Sequence, residues 1–152
     1  MASGRVSEAR RRNMQAIKGK NTTPELTVRR FLHAAGFRFR LHDGRLPGRP
    51  DIVLKRFRTV VFVHGCFWHH HGCANSVWPK TRSEFWRAKI GGNRRRDRVV
   101  QRGLERLGWR VLTVWECEAD SATVRSHLVR ALQLFCKSYS GPLEDITERY
   151  NI

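Results

Sequence analysis

Residues 61–73 read VFVHGCFWHHHGC: an apolar run, then two cysteines and four histidines around Phe67 and Trp68. Thiolates and imidazoles are the usual ligands of zinc, and imidazole is also the side chain best suited to proton transfer near neutrality. Cys66, His71 and Cys73 fall within eight residues just past one strand-like run, and Cys117 follows another, WRVLTVW. If those runs are neighbouring strands, the four residues converge as a closed three-sulfur, one-nitrogen set, the pattern of structural zinc. Such a site would staple the ends of strands far apart in sequence. The alternative is buried free cysteines among surface histidines. Disulfides are not expected in a reducing cytosol, and Cys136 stands apart as a core residue of the last helix.

A closed zinc set leaves His64, His69 and His70 unassigned. At least one of them is free for acid–base work, unless all are solvated loop residues. His33, His42 and His127 have no supporting neighbours in the sequence and are read as structural.

Asp51 is the other chemically informative residue. The chain of 152 residues carries 30 Lys and Arg against 13 Asp and Glu, a formal net charge of +17. An acid opening the apolar run DIVL, directly after PGRP, is costly to bury unpaired. At a strand end it can hold a hard cation such as Mg²⁺, the usual partner of phosphate chemistry. The charge makes a polyanion the expected partner, with nucleic acid ahead of a membrane surface. No long apolar segment or signal-like N-terminus is visible, so the protein is expected to be cytoplasmic with no membrane association. A 40% hydrophobic content allows a packed core.

These residues need a scaffold. Ser7 to about Lys18 reads as a basic helix or as an arm that orders on its partner. Thr23, Pro24 and Glu25 signal a helix start, with Thr23 as N-cap, and Gly36 a stop. FRFRL (Phe37–Leu41) alternates as a strand. DIVL and TVVFV then form an antiparallel pair across a short basic turn. RSEFWRAKI reads as a short helix. Asn93–Leu107 reads as a second, basic one with Val99, Val100, Leu104 and Leu107 inward. WRVLTVW is a strand, with Trp109 and Trp115 as core, and Ser121 to about Phe135 is the last helix. The order implies an α/β fold: a mixed β-sheet flanked by helices. Three segments are expected: a basic N-terminal arm (1–20), a main domain (21–138) and a C-terminal tail (139–152).

GRPDIV, FVHGCFWHHHGC, TRSEFWRAKI and GWRVLTVWECE together resemble the very-short-patch repair (Vsr) endonucleases, from NMQAIKGKNTTPE near Asn13 to about Glu118. The resemblance implies a restriction-endonuclease-like core with a structural zinc site. Where that core normally carries a second acid and a lysine, this chain has Phe62 and His64. By the same resemblance Asp51 and the backbone carbonyl of Val63 bind Mg²⁺. His69 is the general acid–base group, with His64 and Glu25 in support, and Cys66, His71, Cys73 and Cys117 bind Zn²⁺. Phe67, Trp68 and Trp86 would wedge into the base stack beside a mismatch, where stacking is already weak, while Met14 approaches the opposite groove. Ordinary core packing is the alternative for the three aromatics.

The implied activity is Mg²⁺-dependent nicking of double-stranded DNA 5′ to the T of a T:G mismatch left by 5-methylcytosine deamination. It implies functional links to a cytosine-5 DNA methyltransferase, a DNA polymerase and a ligase. The enzyme would be a nucleoid-associated bacterial monomer. The competing reading from charge, cysteines and aromatics is a non-catalytic, zinc-stabilised nucleic-acid-binding module. Asp51 and the spare histidines separate the two.

Overall fold

A computed structural model describes residues 19–136. Met14, the expected arm helix, the tail and the Cys136 side chain lie outside the described residues. Helix α1 (Thr23–Ala34) leads into β1 (Arg40–Leu41), β2 (Ile52–Leu54), a 3₁₀ turn (Lys55–Phe57) and β3 (Thr59–His64). A single-turn helix α2 (Cys66–His69) and the long α3 (Ser83–Arg106) precede β4 (Arg110–Trp115), a second 3₁₀ turn (Glu116–Glu118) and α4 (Ser121–Cys136).

The four strands form one sheet in the order β1-β2-β3-β4. The first two pairings are antiparallel and β3–β4 is parallel, which makes the sheet mixed. Strand alternation divides the core into two layers. Ile52, Leu54 and Val61 pack with Val28 and Leu32 of α1 and Val124 and Leu128 of α4. Val53 and Val60 face the other way, onto Leu104 of α3. Helices therefore cover both faces. β2 is buried along its whole length, which explains its unbroken apolar sequence.

Several local expectations are corrected. The N-cap of α1 is Thr22, not Thr23: the Glu25 amide donates to the Thr22 hydroxyl at 3.5 Å. The Glu25 carboxylate in turn accepts from the Asn21 amide and the Thr22 hydroxyl, close to a capping box. Within FRFRL only Arg40 and Leu41 ladder onto β2, while Phe37 leaves the strand to pack edge-on against Phe57. The two helices expected between residues 83 and 107 are one helix of 24 residues. Gly91 and Gly92 do not break it, because Ile90, Asn93, Asp97, Val100 and Leu104 keep one helical phase across them. That phase leaves Val99 and Leu107 exposed, at 66% and 53%, rather than inward.

Candidate active site

The parallel pairing of β3 and β4 brings their C-terminal ends together, with His64 opposite Trp115. Whatever follows each strand must therefore meet. Cys66 begins α2 behind β3, and Cys117 lies in the 3₁₀ turn behind β4. A left-handed turn at His70 (φ 43°) sends the chain from α2 back over the same corner, so His71 and Cys73 reach the two sulfurs. His71 Nε2 is 3.4 Å from the Cys66 and Cys117 sulfurs. All four ligand atoms lie within 4.8 Å of one another. Ser76 sits beneath, 3.4 Å from the Cys73 sulfur and donating to the Cys66 carbonyl at 3.1 Å. Trp115 stacks flat on His71 at 4.0 Å, so it serves this corner rather than the plain core expected of it.

The donor set of three thiols and one imidazole fits a Zn²⁺-like cation. Without one, the thiols oppose joint ionisation. Partial desolvation and the neighbouring sulfurs push Cys117 up to about 12, while the Ser76 hydroxyl draws Cys73 down to about 6. A dication held there would remove that conflict, because it would bind the thiolates directly.

Beside this corner a cleft of about 550 Å³ opens at the ends of β2 and β3. Glu25, His42, Asp51, Val63, His64, Trp68, His69 and Asp97 all line it. Asp51 immediately precedes β2, and its Oδ2 accepts from the Val63 amide of β3 at 2.7 Å. Burial, with the Glu25 carboxylate nearby, pushes Asp51 above the usual carboxylate range. Glu25, His42 and Asp51 offer ligand atoms within 4.8 Å of one another. A pair of crowded carboxyl groups fits a hard cation, which would relieve their repulsion.

The opposite wall is built from imidazoles. His64, projecting from β3, stacks on His69 of α2 with centroids 3.8 Å apart. Burial and the His69 ring hold His64 down at about 4, so it is neutral at physiological pH. His69 Nδ1 lies 2.6 Å from an Asp97 carboxylate oxygen. Burial pushes the Asp97 carboxyl up, but the His69 hydrogen bond and the two imidazoles outweigh it and hold the group low. An ionised Asp97 only accepts, so it fixes the proton on Nδ1 and leaves Nε2 with a lone pair that can accept a proton.

Phe67, Trp68 and Trp86 form one cluster, with centroids 5.1 to 5.9 Å apart, and Trp68 joins it to the cleft lining. All three are half-buried, and Phe85 extends the patch. Lys89 and Arg96 add positive charge to the same wall.

The structure thus brings Glu25, Asp51, Val63, His64 and His69 to one cleft, with the Cys66, His71, Cys73 and Cys117 set as a separate cluster next to it. Sequence reasoning missed Asp97 and misread His42, which is not isolated but lies between Glu25 and Asp51. The available signal for Asp97 was its position as the single acid within NRRRDRVV.

A family model described as DNA mismatch endonuclease Vsr matches residues 6–75. The chain is 53% identical over 115 residues to the type II nicking enzyme V.XorIIP of Xanthomonas oryzae pv. oryzae, covering 75% of this chain and 85% of that one. It is 49% identical over 117 residues to the DNA mismatch endonuclease Vsr of Escherichia coli, covering 77% and 75%. A third relative, the type II nicking enzyme V.NmeAIP of Neisseria meningitidis, is 46% identical over 121 residues, covering 79% and 86%. With motifs, fold and relatives in agreement, the chain belongs to the Vsr family of DNA mismatch endonucleases.

Proposed function

We propose that this protein is a Mg²⁺-dependent endonuclease that nicks one DNA strand 5′ to the T of a T:G mismatch, leaving a 5′-phosphate and a 3′-hydroxyl. The observation that carries the reading is the shared cleft, where an acidic wall faces an Asp97-oriented imidazole with an aromatic cluster joined to the lining by Trp68.

Asp51 and the Val63 carbonyl would hold Mg²⁺, which supplies Lewis-acid neutralisation of the phosphate charge. His69 takes a proton from the attacking water at Nε2, while Asp97 stabilises the imidazolium that results. His64, neutral and stacked, holds the His69 ring in plane. Lys89 and Arg96 receive the phosphodiester backbone. Phe67, Trp68 and Trp86 enter the stack at the mispair, where unstacking costs least.

Cys66, His71, Cys73 and Cys117 would hold Zn²⁺, which would cross-link the strand ends and fix α2, the single turn that carries Phe67, Trp68 and His69. The main domain, 21–138, carries the chemistry, residues 1–20 with Met14 approach the DNA as a basic arm, and 139–152 form a tail. We assign the nick to repair of deaminated 5-methylcytosine in the bacterial cytoplasm, close to the nucleoid. A cytosine-5 methyltransferase creates the need, and a polymerase and ligase complete the patch. The enzyme acts as a monomer. Among the described residues no helix is long and apolar enough to cross a membrane.

Asp51→Ala tests the assignment: nicking should be abolished while mismatch binding, read by gel shift, stays near wild type. Nicking by this variant would remove Asp51 from the chemistry.

A further inference from the structure

His42 lies on the loop behind β1, and its backbone is held in the left-handed region at φ 47°. That conformation is unfavourable for a residue with a Cβ. It is fixed by two contacts: the His42 amide donates to the Asp51 carbonyl at 3.2 Å, and the His42 carbonyl accepts from Arg49 Nε at 3.2 Å. The result is an imidazole set between the two acids of the cleft. Its Nδ1 is 3.7 Å from Asp51 Oδ1, and its Nε2 is 3.7 Å from Glu25 Oε2.

Arg29 determines what the ring can do. Its guanidinium lies 2.9 Å from His42 Nε2 and 2.7 Å from Glu25 Oε2. A guanidinium only donates, so Nε2 must accept and the ring proton sits on Nδ1, facing Asp51. Neither nitrogen is then free to bind a cation: one lone pair is taken by Arg29 and the other position carries hydrogen. Asp51 Oδ2 is already engaged by the Val63 amide at 2.7 Å, and the second oxygen, Oδ1, is the one His42 Nδ1 faces, at 3.7 Å, within electrostatic reach but beyond a hydrogen bond.

We propose that His42 is a positioning residue for the acidic wall: held by Arg29 at Nε2 and facing Asp51 Oδ1 with Nδ1, it sets the carboxylate for its cation without ligating it. The inference rests on the Mg²⁺ site proposed for Asp51. It separates His42 from the acids beside it, although all three offer donor atoms at ligand spacing.

Mn²⁺ is the probe, added to the full-length protein with its other metal left in place. Binding is read from the loss of the free-ion electron paramagnetic resonance signal. His42→Ala should weaken Mn²⁺ binding by about 10-fold or more, the usual effect of losing a group that orients a ligand. His42→Gln supplies one amide donor and one acceptor and should recover most of that loss. Electron spin echo modulation of bound Mn²⁺ in the wild type should show no directly coordinated nitrogen. A coordinated nitrogen, or a Gln variant as weak as the Ala variant, overturns the positioning role. So does unchanged affinity in His42→Ala when Asp51→Ala has lost it. Equal binding by the wild type and Asp51→Ala would instead overturn the metal site, and this inference with it. Circular dichroism melts that coincide for His42→Ala and the wild type assign the change in affinity to the site rather than to the fold.

Discussion

Replacing Asp97 by Asn tests the proton-transfer assignment with little change of shape. The carboxylate oxygen lies 2.6 Å from His69 Nδ1, and the two side chains are only 31% and 20% exposed. Opposite unit charges about 4 Å apart at an effective dielectric near 20 attract by about 4 kcal/mol. Solvent access reduces this toward the roughly 1.5–3 kcal/mol typical of a hydrogen bond to a charged group. That stabilisation exists only once His69 has taken a proton, so its loss falls on the reaction barrier. At 1.36 kcal/mol per decade it slows the chemical step about 10- to 150-fold. The assay is single-turnover nicking of a T:G duplex with enzyme in excess, alongside equilibrium binding of the same duplex. The rate should fall within that range while binding changes less than about twofold. An unchanged single-turnover rate would refute the role given to the His69–Asp97 pair.

Three further outcomes follow from other parts of the molecule. Cys117→Ser should lose most of its zinc in a colorimetric metal assay and melt several degrees lower, at about 2–4 °C per kcal/mol for a chain of this size; full zinc occupancy would remove Cys117 from the set. Trp68→Ala should weaken discrimination of T:G over G:C more than it weakens duplex binding in competition assays, whereas equal losses would make the ring a packing residue. Gly48→Ala should cost about 1–3 kcal/mol in urea unfolding through overpacking and backbone strain, because a Cβ at Gly48 (φ 71°) would run into the Val100 side chain at Cγ1 and Cγ2. A loss below about 0.5 kcal/mol, the scale of an ordinary surface substitution, would mean that the loop and α3 separate easily.

The legible parts of the site were those whose chemistry is carried by residue type. Cysteine and histidine at strand ends announce a metal set, and the parallel β3–β4 pairing is the single fact needed to close it. Asp51 stood out because an acid opening an apolar strand demands a partner. Asp97 was hidden by its surroundings. Among five arginines from 94 to 102 it reads as part of a solvated face, and only the helical phase turns it toward His69. Two separate helices, RSEFWRAKI and Asn93–Leu107, with Gly91-Gly92 between them, do not carry that phase across. Glycine weakens a helix by about 1 kcal/mol, which the packing of Ile90 and Leu104 on either side overrides. His42 was invisible for a different reason: its partners, Arg29 and Asp51, come from other elements, and no local pattern encodes the loop that joins them. The fold class needed less, since strand and helix periodicities survive such errors. Element boundaries did not, as Phe37 and Thr22 show.

The most direct test of the whole account is strand-resolved cleavage of paired oligonucleotide duplexes differing only in T:G or G:C at one position, across several methylation-site contexts. Mg²⁺ is withheld in the control rather than chelated, because a chelator would also strip a metal held by the cysteine set. The account predicts a single nick, 5′ to the mispaired T, only in the T:G duplex and only with Mg²⁺. Equal cutting of both duplexes, or tight binding of T:G with no nick in any context, would contradict it.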